Sequence, residues 1–181
     1  DALSSIIEFR SAESGRHVLR LRRLTQILLE DVARSCPEYG LTEREIRSIS
    51  SAAALHDIGK IAIPDAILNK NQPLTPQEFE VMKTHTLSGS RMLENLSGAA
   101  DQDYLRYAYH ICRYHHERWD GRGYPEGLRG DQIPLCAQVV GLADAFDALT
   151  SDRAYKAAYP YEKAVNMILA GECGPMFTAF S

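Results

Sequence analysis

Six histidines, at positions 17, 56, 85, 110, 115 and 116, and the carboxylates near them carry most of the chemistry open to this chain. The central pair is His56-Asp57, within Leu55-His56-Asp57-Ile58-Gly59-Lys60. It offers one imidazole nitrogen and two carboxylate oxygens. A carboxylate can bridge two metal ions, and paired ions about 3.5–4 Å apart suit phosphoester hydrolysis. Lys60, three residues on, brings an ammonium within reach of a phosphate bound nearby. The run Ala52-Ala53-Ala54-Leu55 suggests burial, and a buried His-Asp pair needs a partner such as metal. By itself the doublet is weak evidence, and a helix-end histidine satisfied by a carboxylate is the plainer reading.

Other positions widen the set. Glu13 and His17, four apart, share one helix face and could chelate together. His115 and His116 are adjacent where a helix meets a glycine-rich loop. Neighbouring helical residues diverge by about 100°, so both reach one site only near a helix end. Asp144 lies in Val139-Val140-Gly141-Leu142-Ala143-Asp144, where a carboxylate is costly unless paired or metal-bound. Asp147, one turn later, could orient a ligand or cap a backbone group. His110, among Tyr107, Tyr109 and Tyr114, is expected to be an ordinary core or surface histidine. Arg153 and Lys156 suit phosphate, the first by a bidentate fork and the second as a point charge.

Helices must position these groups. Leu3, Ile6, Ile7 and then Val18, Leu21, Leu24, Ile27 and Leu28 recur at helical spacing up to about Ser35, interrupted at Gly15. Thr42 and Glu45 form a capping box that opens a helix into the doublet, and Thr75-Pro76-Gln77-Glu78 forms a second. Gly59 to Pro73 is expected to be a loop. Further helices are expected from about 101 to 113, 134 to 149 and 162 to 170. Trp119 to Gly127, with three glycines and a proline, cannot be regular structure. No segment alternates like a strand. The expected fold is all-α, a helical bundle with a metal site in its core.

The 181 residues fit one domain, and 45% hydrophobic content supports a sizeable core. A formal charge of −4 disfavours DNA or RNA as a partner. Cys36, Cys112, Cys136 and Cys173 are scattered, with no Cys-x-x-Cys pair, which fits a reduced, cytoplasmic setting. No apolar run approaches the roughly 20 residues of a membrane span. Residues 1–12 are expected to be the end of an interdomain helix and 13–181 a domain excised from a longer protein. The N-terminal helix either pairs into a homodimer or packs on its own bundle.

Five segments together resemble the HD-GYP family, a subgroup of the HD-domain metal-dependent phosphohydrolases. They are Glu13-Ser14-Gly15-Arg16-His17, His56-Asp57-Ile58-Gly59-Lys60, His85, His115 through Pro125, and Asp144 through Arg153. The resemblance implies hydrolysis of the bacterial second messenger cyclic di-GMP to the linear dinucleotide pGpG and on to GMP. It implies two or three divalent ions, iron or manganese, held by His17, His56, Asp57, His85, His115, His116 and Asp144. Asp57 would bridge, and Glu13 would serve a third ion. Lys60, Arg153 and Lys156 match phosphate-contacting positions, and Tyr124 lies in the loop beside the substrate. Asp57 and Lys60 are the expected catalytic groups. Ala154 stands where the family usually has proline. Two alternatives remain open: an HD phosphohydrolase for another cyclic dinucleotide such as cyclic GMP-AMP, or a non-catalytic module binding cyclic di-GMP or a GGDEF-type protein through the Gly-Tyr-Pro loop.

Overall fold

A computed structural model of the chain describes residues 16–96, 101–152 and 157–173. The described residues are helical, with one isolated antiparallel bridge between Asp120 and Arg129 and no strand. The all-α expectation holds. Eight α-helices are described: α1 Arg16–Ser35, α2 Glu43–Ala52, α3 Asp65–Leu68, α4 Pro76–Lys83, α5 His85–Glu94, α6 Gln102–Tyr114, α7 Leu135–Thr150 and α8 Tyr161–Leu169. The expected helix and break before position 16, and the loop carrying Arg153 and Lys156, lie outside the described residues.

Local chemistry sets the boundaries. At α2 the Thr42 hydroxyl accepts from Glu45 N at 3.2 Å, and Glu45 Oε2 accepts from Thr42 N at 2.9 Å. That reciprocal pair satisfies two otherwise orphaned donors. Thr75 and Glu78 repeat it at α4, with Pro76 at the first helical position. The helix begun by the second box does not run through to His85. It stops at Lys83, and α5 starts afresh from Thr84. The stretch expected as a loop from Gly59 to Pro73 contains a 3-10 segment, Ile58–Ala62, and the short helix α3. Four or five residues are too few to show a helical period, so their sequence resembles a loop.

The core joins all the long helices. Leu21 and Leu29 of α1, Ile46 and Ile49 of α2, Leu93 of α5, Ile111 and Cys112 of α6, and Val139 and Val140 of α7 form one buried cluster. Helix α6 packs on α2, α5 and α7, while α1 packs on α2 and α7. His56-Asp57 sits between two 3-10 turns, Ala53–Leu55 and Ile58–Ala62, at the centre of this arrangement. Gly59 brings that turn against α5: a Cβ there would lie 1.8 Å from His85 O and 2.5 Å from Gly89 N. The two backbones touch, so the residue has to be glycine for steric reasons.

Candidate metal centre

Asp57 is 8% exposed and its two oxygens face different neighbours. Oδ1 lies 3.3 Å from His85 Nε2 and 3.8 Å from His115 Nε2. Oδ2 lies 3.0 Å from His56 Nε2 and 2.6 Å from Lys60 Nζ. The carboxylate therefore joins two groups of ligand atoms. Asp57, His85, His115 and His116 form the first; His17, His56 and Asp144 form the second, with ligand atoms within 4.8 Å of one another in each. His115 and His116 follow the last residue of α6, the helix end that two adjacent ligands require. The imidazoles crowd together, with ring centroids 5.4 Å apart for His17–His56, 5.2 Å for His56–His115 and 5.2 Å for His85–His116.

Four of these rings are aimed by their other nitrogen. His56 Nδ1 donates to Ala53 O at 3.0 Å, His85 Nδ1 to Met82 O at 2.8 Å, and His115 Nδ1 to Ile111 O at 2.9 Å. A carbonyl only accepts, so the proton is fixed on Nδ1 and Nε2 faces the centre. His17 Nδ1 donates to Asp147 Oδ2 at 2.8 Å, leaving Nε2 3.7 Å from Asp144 Oδ1. Asp147 also accepts from Arg20, from Nε and from Nη2 at 3.0 Å. Burial opposes charge on Asp147, but these donors outweigh it and hold the carboxyl down at about 2. Asp147 therefore orients the ring of His17, a candidate ligand, in keeping with one of its two expected roles. Arg20, its partner one turn after Arg16, carried no signal in the sequence.

The donors are prepared for a cation. Burial lowers His85, His115 and His116, so each ring is neutral with its lone pair available. At His56 burial works the same way, but the adjacent Asp57 carboxylate overcomes it and raises the imidazole to about 9. Asp57 itself is driven well below the usual range: burial resists ionisation, and His56 and Lys60 outweigh it. His85 Nε2, His115 Nε2 and Asp57 Oδ1 are buried without a hydrogen-bond partner. Orphaned buried acceptors of this kind are costly, and three converging on one point fit a metal site. The set is imidazole and carboxylate without thiolate. Cys112, buried nearby, directs its Sγ toward Thr86 O instead.

The Gly-Tyr-Pro loop is tied to the same segment. Glu117, 4% exposed, accepts from the backbone N–H groups of Glu126, Gly127 and Leu128 at 2.8, 3.1 and 3.0 Å. It anchors the loop and, with Arg20, is a residue whose role the sequence did not disclose. A Cβ at Gly123 would lie 2.3 Å from Arg118 N, so the loop folds tightly back on the His-His-Glu end of α6. Tyr124 stacks on His116 with centroids 4.7 Å apart at 27°. His110 lies outside both ligand groups, as expected. It is not fully satisfied, however: its ring sits between Tyr109 and Tyr114 with Nδ1 buried and unbonded. Of the expected site residues, His17, His56, Asp57, His85, His115, His116 and Asp144 converge, with Lys60 and Tyr124 beside them. Glu13, Arg153 and Lys156 lie outside the described residues.

Comparison with known proteins adds an independent line. The HD domain family profile matches residues 4–172. The chain is 44% identical over 175 residues to a probable cyclic di-GMP phosphodiesterase of Vibrio cholerae, covering 94% of this chain and 39% of that protein. It is 42% identical over 168 residues to a cyclic di-GMP phosphodiesterase of Thermotoga maritima, covering 93% and 43%. A 3'3'-cGAMP-specific phosphodiesterase of Vibrio cholerae is 38% identical, with 93% and 30% covered. The chain thus spans less than half the length of these curated relatives. Among solved structures, an HDG"Y"P protein from Bdellovibrio bacteriovorus superposes with a TM-score of 0.63 at 23% identity, covering 89% of this chain and 47% of that one. That likeness concerns the fold.

Proposed function

The chain belongs to the HD-domain family, in its HD-GYP subgroup, and from that membership we propose that it is a metal-dependent phosphodiesterase acting on cyclic di-GMP. The observation that carries the proposal is the shared carboxylate of Asp57, one oxygen toward His85 and His115, the other toward His56. Two ligand groups meeting at one carboxylate suit an in-line displacement at phosphorus. The holders would be His17, His56, Asp57, His85, His115, His116 and Asp144, with Glu13 serving a third ion. Two or three divalent ions, iron or manganese, would supply Lewis-acid stabilisation of the phosphoryl oxygens and acidify a water. Imidazole and carboxylate donors suit either metal.

The chain's own groups do the positioning. Lys60, held at 2.6 Å by Asp57, offsets charge that builds on the phosphoryl oxygens. Arg153 and Lys156 would grip the second phosphate. Tyr124, stacked on His116, borders the substrate and keeps water from one side of the ligand shell. The test is incubation of the iron- or manganese-loaded protein, under reducing conditions, with cyclic di-GMP. Linear pGpG, and GMP after it, is the expected product. Stoichiometric metal with no cleavage, but tight binding, would favour the non-catalytic module instead. Preferred cleavage of cyclic GMP-AMP would move the chain toward its 3'3'-cGAMP-specific relative.

Two consequences concern metal loading. Asp147→Asn keeps the shape but replaces the acceptor of His17 Nδ1–H and Arg20 with a weaker one. Removing such a supporting carboxylate is expected to lower Mn²⁺ affinity about 10- to 100-fold, measured by calorimetry. Unchanged affinity would show that the His17–Asp147 contact does not orient a ligand. The second is pH dependence. A metal must displace the His56 proton, and that ring titrates at about 9. Below this value each pH unit costs about tenfold in apparent affinity for one released proton. His85, His115 and His116, lowered by burial, release none near neutrality. Metal affinity should therefore climb between pH 7 and 9 and level off above; a flat profile contradicts the assignment of His56 as a ligand.

A further inference from the structure

Helix α4, like the short α3 before it, has no buried residue. It is nevertheless fixed in place. Its capping box is closed, and Lys70 Nζ grips Glu78 Oε1 and Oε2 at 2.8 and 2.6 Å. This rigid surface helix presents Phe79, a large apolar ring 46% exposed, toward the Gly-Tyr-Pro loop. The Phe79 and Tyr124 rings meet nearly at right angles, 84°, with centroids 6.2 Å apart. Lys83 Nζ lies 5.7 Å from both centroids and is steadied by Glu80 Oε1 at 2.7 Å. Tyr124 in turn stacks on His116, a member of the Asp57 ligand group. A continuous ring wall runs from that group to an exposed phenylalanine, with an ammonium in its corner.

We propose that Phe79, Tyr124 and Lys83 form a subsite for a guanine base of the phosphodiester whose phosphate is held at the Asp57 centre. The proposal rests on the phosphodiesterase reading and adds to it the residues that select the base. Two perpendicular rings make a corner in which a planar base lies against one face with its edge toward the other. Every base has such a face, so the rings supply affinity without sequence preference. Lys83 supplies the preference. Its N–H groups match the adjacent O6 and N7 acceptors of guanine, whereas adenine puts an N–H₂ donor where O6 would be. The outward face of α4 is otherwise unexplained: an exposed phenylalanine contributes nothing to the core, and the helix is pinned by its own polar contacts.

The test compares metal-loaded wild type, Phe79→Ala, Phe79→Leu, Phe79→Trp and Lys83→Met on cyclic di-GMP and on bis(p-nitrophenyl) phosphate, a diester without a purine. In Phe79→Ala and Phe79→Leu the ratio of kcat/KM for cyclic di-GMP to that for the base-free diester should fall about 5- to 150-fold, the span of base–aromatic stacking. Phe79→Trp should restore it. Lys83→Met should lower the preference for cyclic di-GMP over cyclic di-AMP by about 5-fold or more. An equal fall on both diesters, or a leucine variant matching wild type, overturns the subsite. If wild type splits the base-free diester and no cyclic dinucleotide, the substrate reading has failed. Equilibrium binding of GMP to the metal-loaded protein then decides the subsite separately: weaker binding by Phe79→Ala sustains it, and unchanged binding removes it.

Discussion

Asp57→Ala is expected to purify without its full metal complement and to hydrolyse cyclic di-GMP at less than about one-thousandth of the wild-type rate. Losing metal stabilisation worth several kcal/mol in the transition state corresponds to a fall of that size. One carboxylate is near His56, His85 and His115 and pairs with Lys60. Its removal takes a member from the first group and the carboxylate beside His56 of the second. It also leaves the Lys60 ammonium and a His56 ring that Asp57 had kept charged without their counter-ion. Breaking a buried ion pair from one side costs about 3–5 kcal/mol, so the metal-free variant should also melt earlier. Metal content by elemental analysis and turnover should fall together. Two ions retained per chain would contradict the shared carboxylate.

The second large effect needs no charged group. Gly59→Ala places a methyl 1.8 Å from the carbonyl oxygen of His85 and 2.5 Å from the amide nitrogen of Gly89. Both are backbone atoms of α5 and cannot rotate away. The helix must shift, and its first residue is a candidate ligand. The expected cost is about 3 kcal/mol, the upper end for overpacking a tight contact. For a domain of this size that corresponds to a Tm lower by roughly 6–12 °C. Metal affinity should fall as well, since His85 moves away from Asp57 Oδ1. Gly89→Ala meets Cys112 Sγ at 2.4 Å and, across the same contact, Gly59 N at 2.8 Å. Its cost should be smaller, because its approach to backbone is longer than the 1.8 Å of Gly59 and the nearest atom belongs to a side chain that can yield.

The described part of the bundle was legible in the sequence because apolar spacing and two capping boxes state helices locally. Positions 42 to 45 and 75 to 78 needed no knowledge of the fold. The ligand residues were legible as types: a buried His-Asp, two adjacent histidines at a helix end, an aspartate in an apolar run. What aims them was not. The acceptors for His56, His85 and His115 are backbone carbonyls, which every residue carries. Arg20 matters only because α1 lies against α7, and Glu117 only because the loop returns to it. Gly59 has the sequence context of an ordinary turn residue, and only the approach of α5 makes it obligatory. The break between α4 and α5 at Thr84 was hidden because its flanks both have helical composition.

The distribution of the two ligand groups along the chain also bears on how the centre assembles. Asp57, His85, His115 and His116 come from the middle of the sequence, on segments that contact one another directly. The other group joins the first described helix to the seventh, and its supporting contact, His17 to Asp147, spans 130 residues. A ribosome delivers His17 early and Asp144 late. A nascent chain that has emerged only as far as His116 already holds every member of the first group and lacks the carboxylate that completes the second. Long-range closure comes last in such a topology. The half of the centre that joins α1 to α7 is therefore the part whose formation reports that these helices have closed on one another.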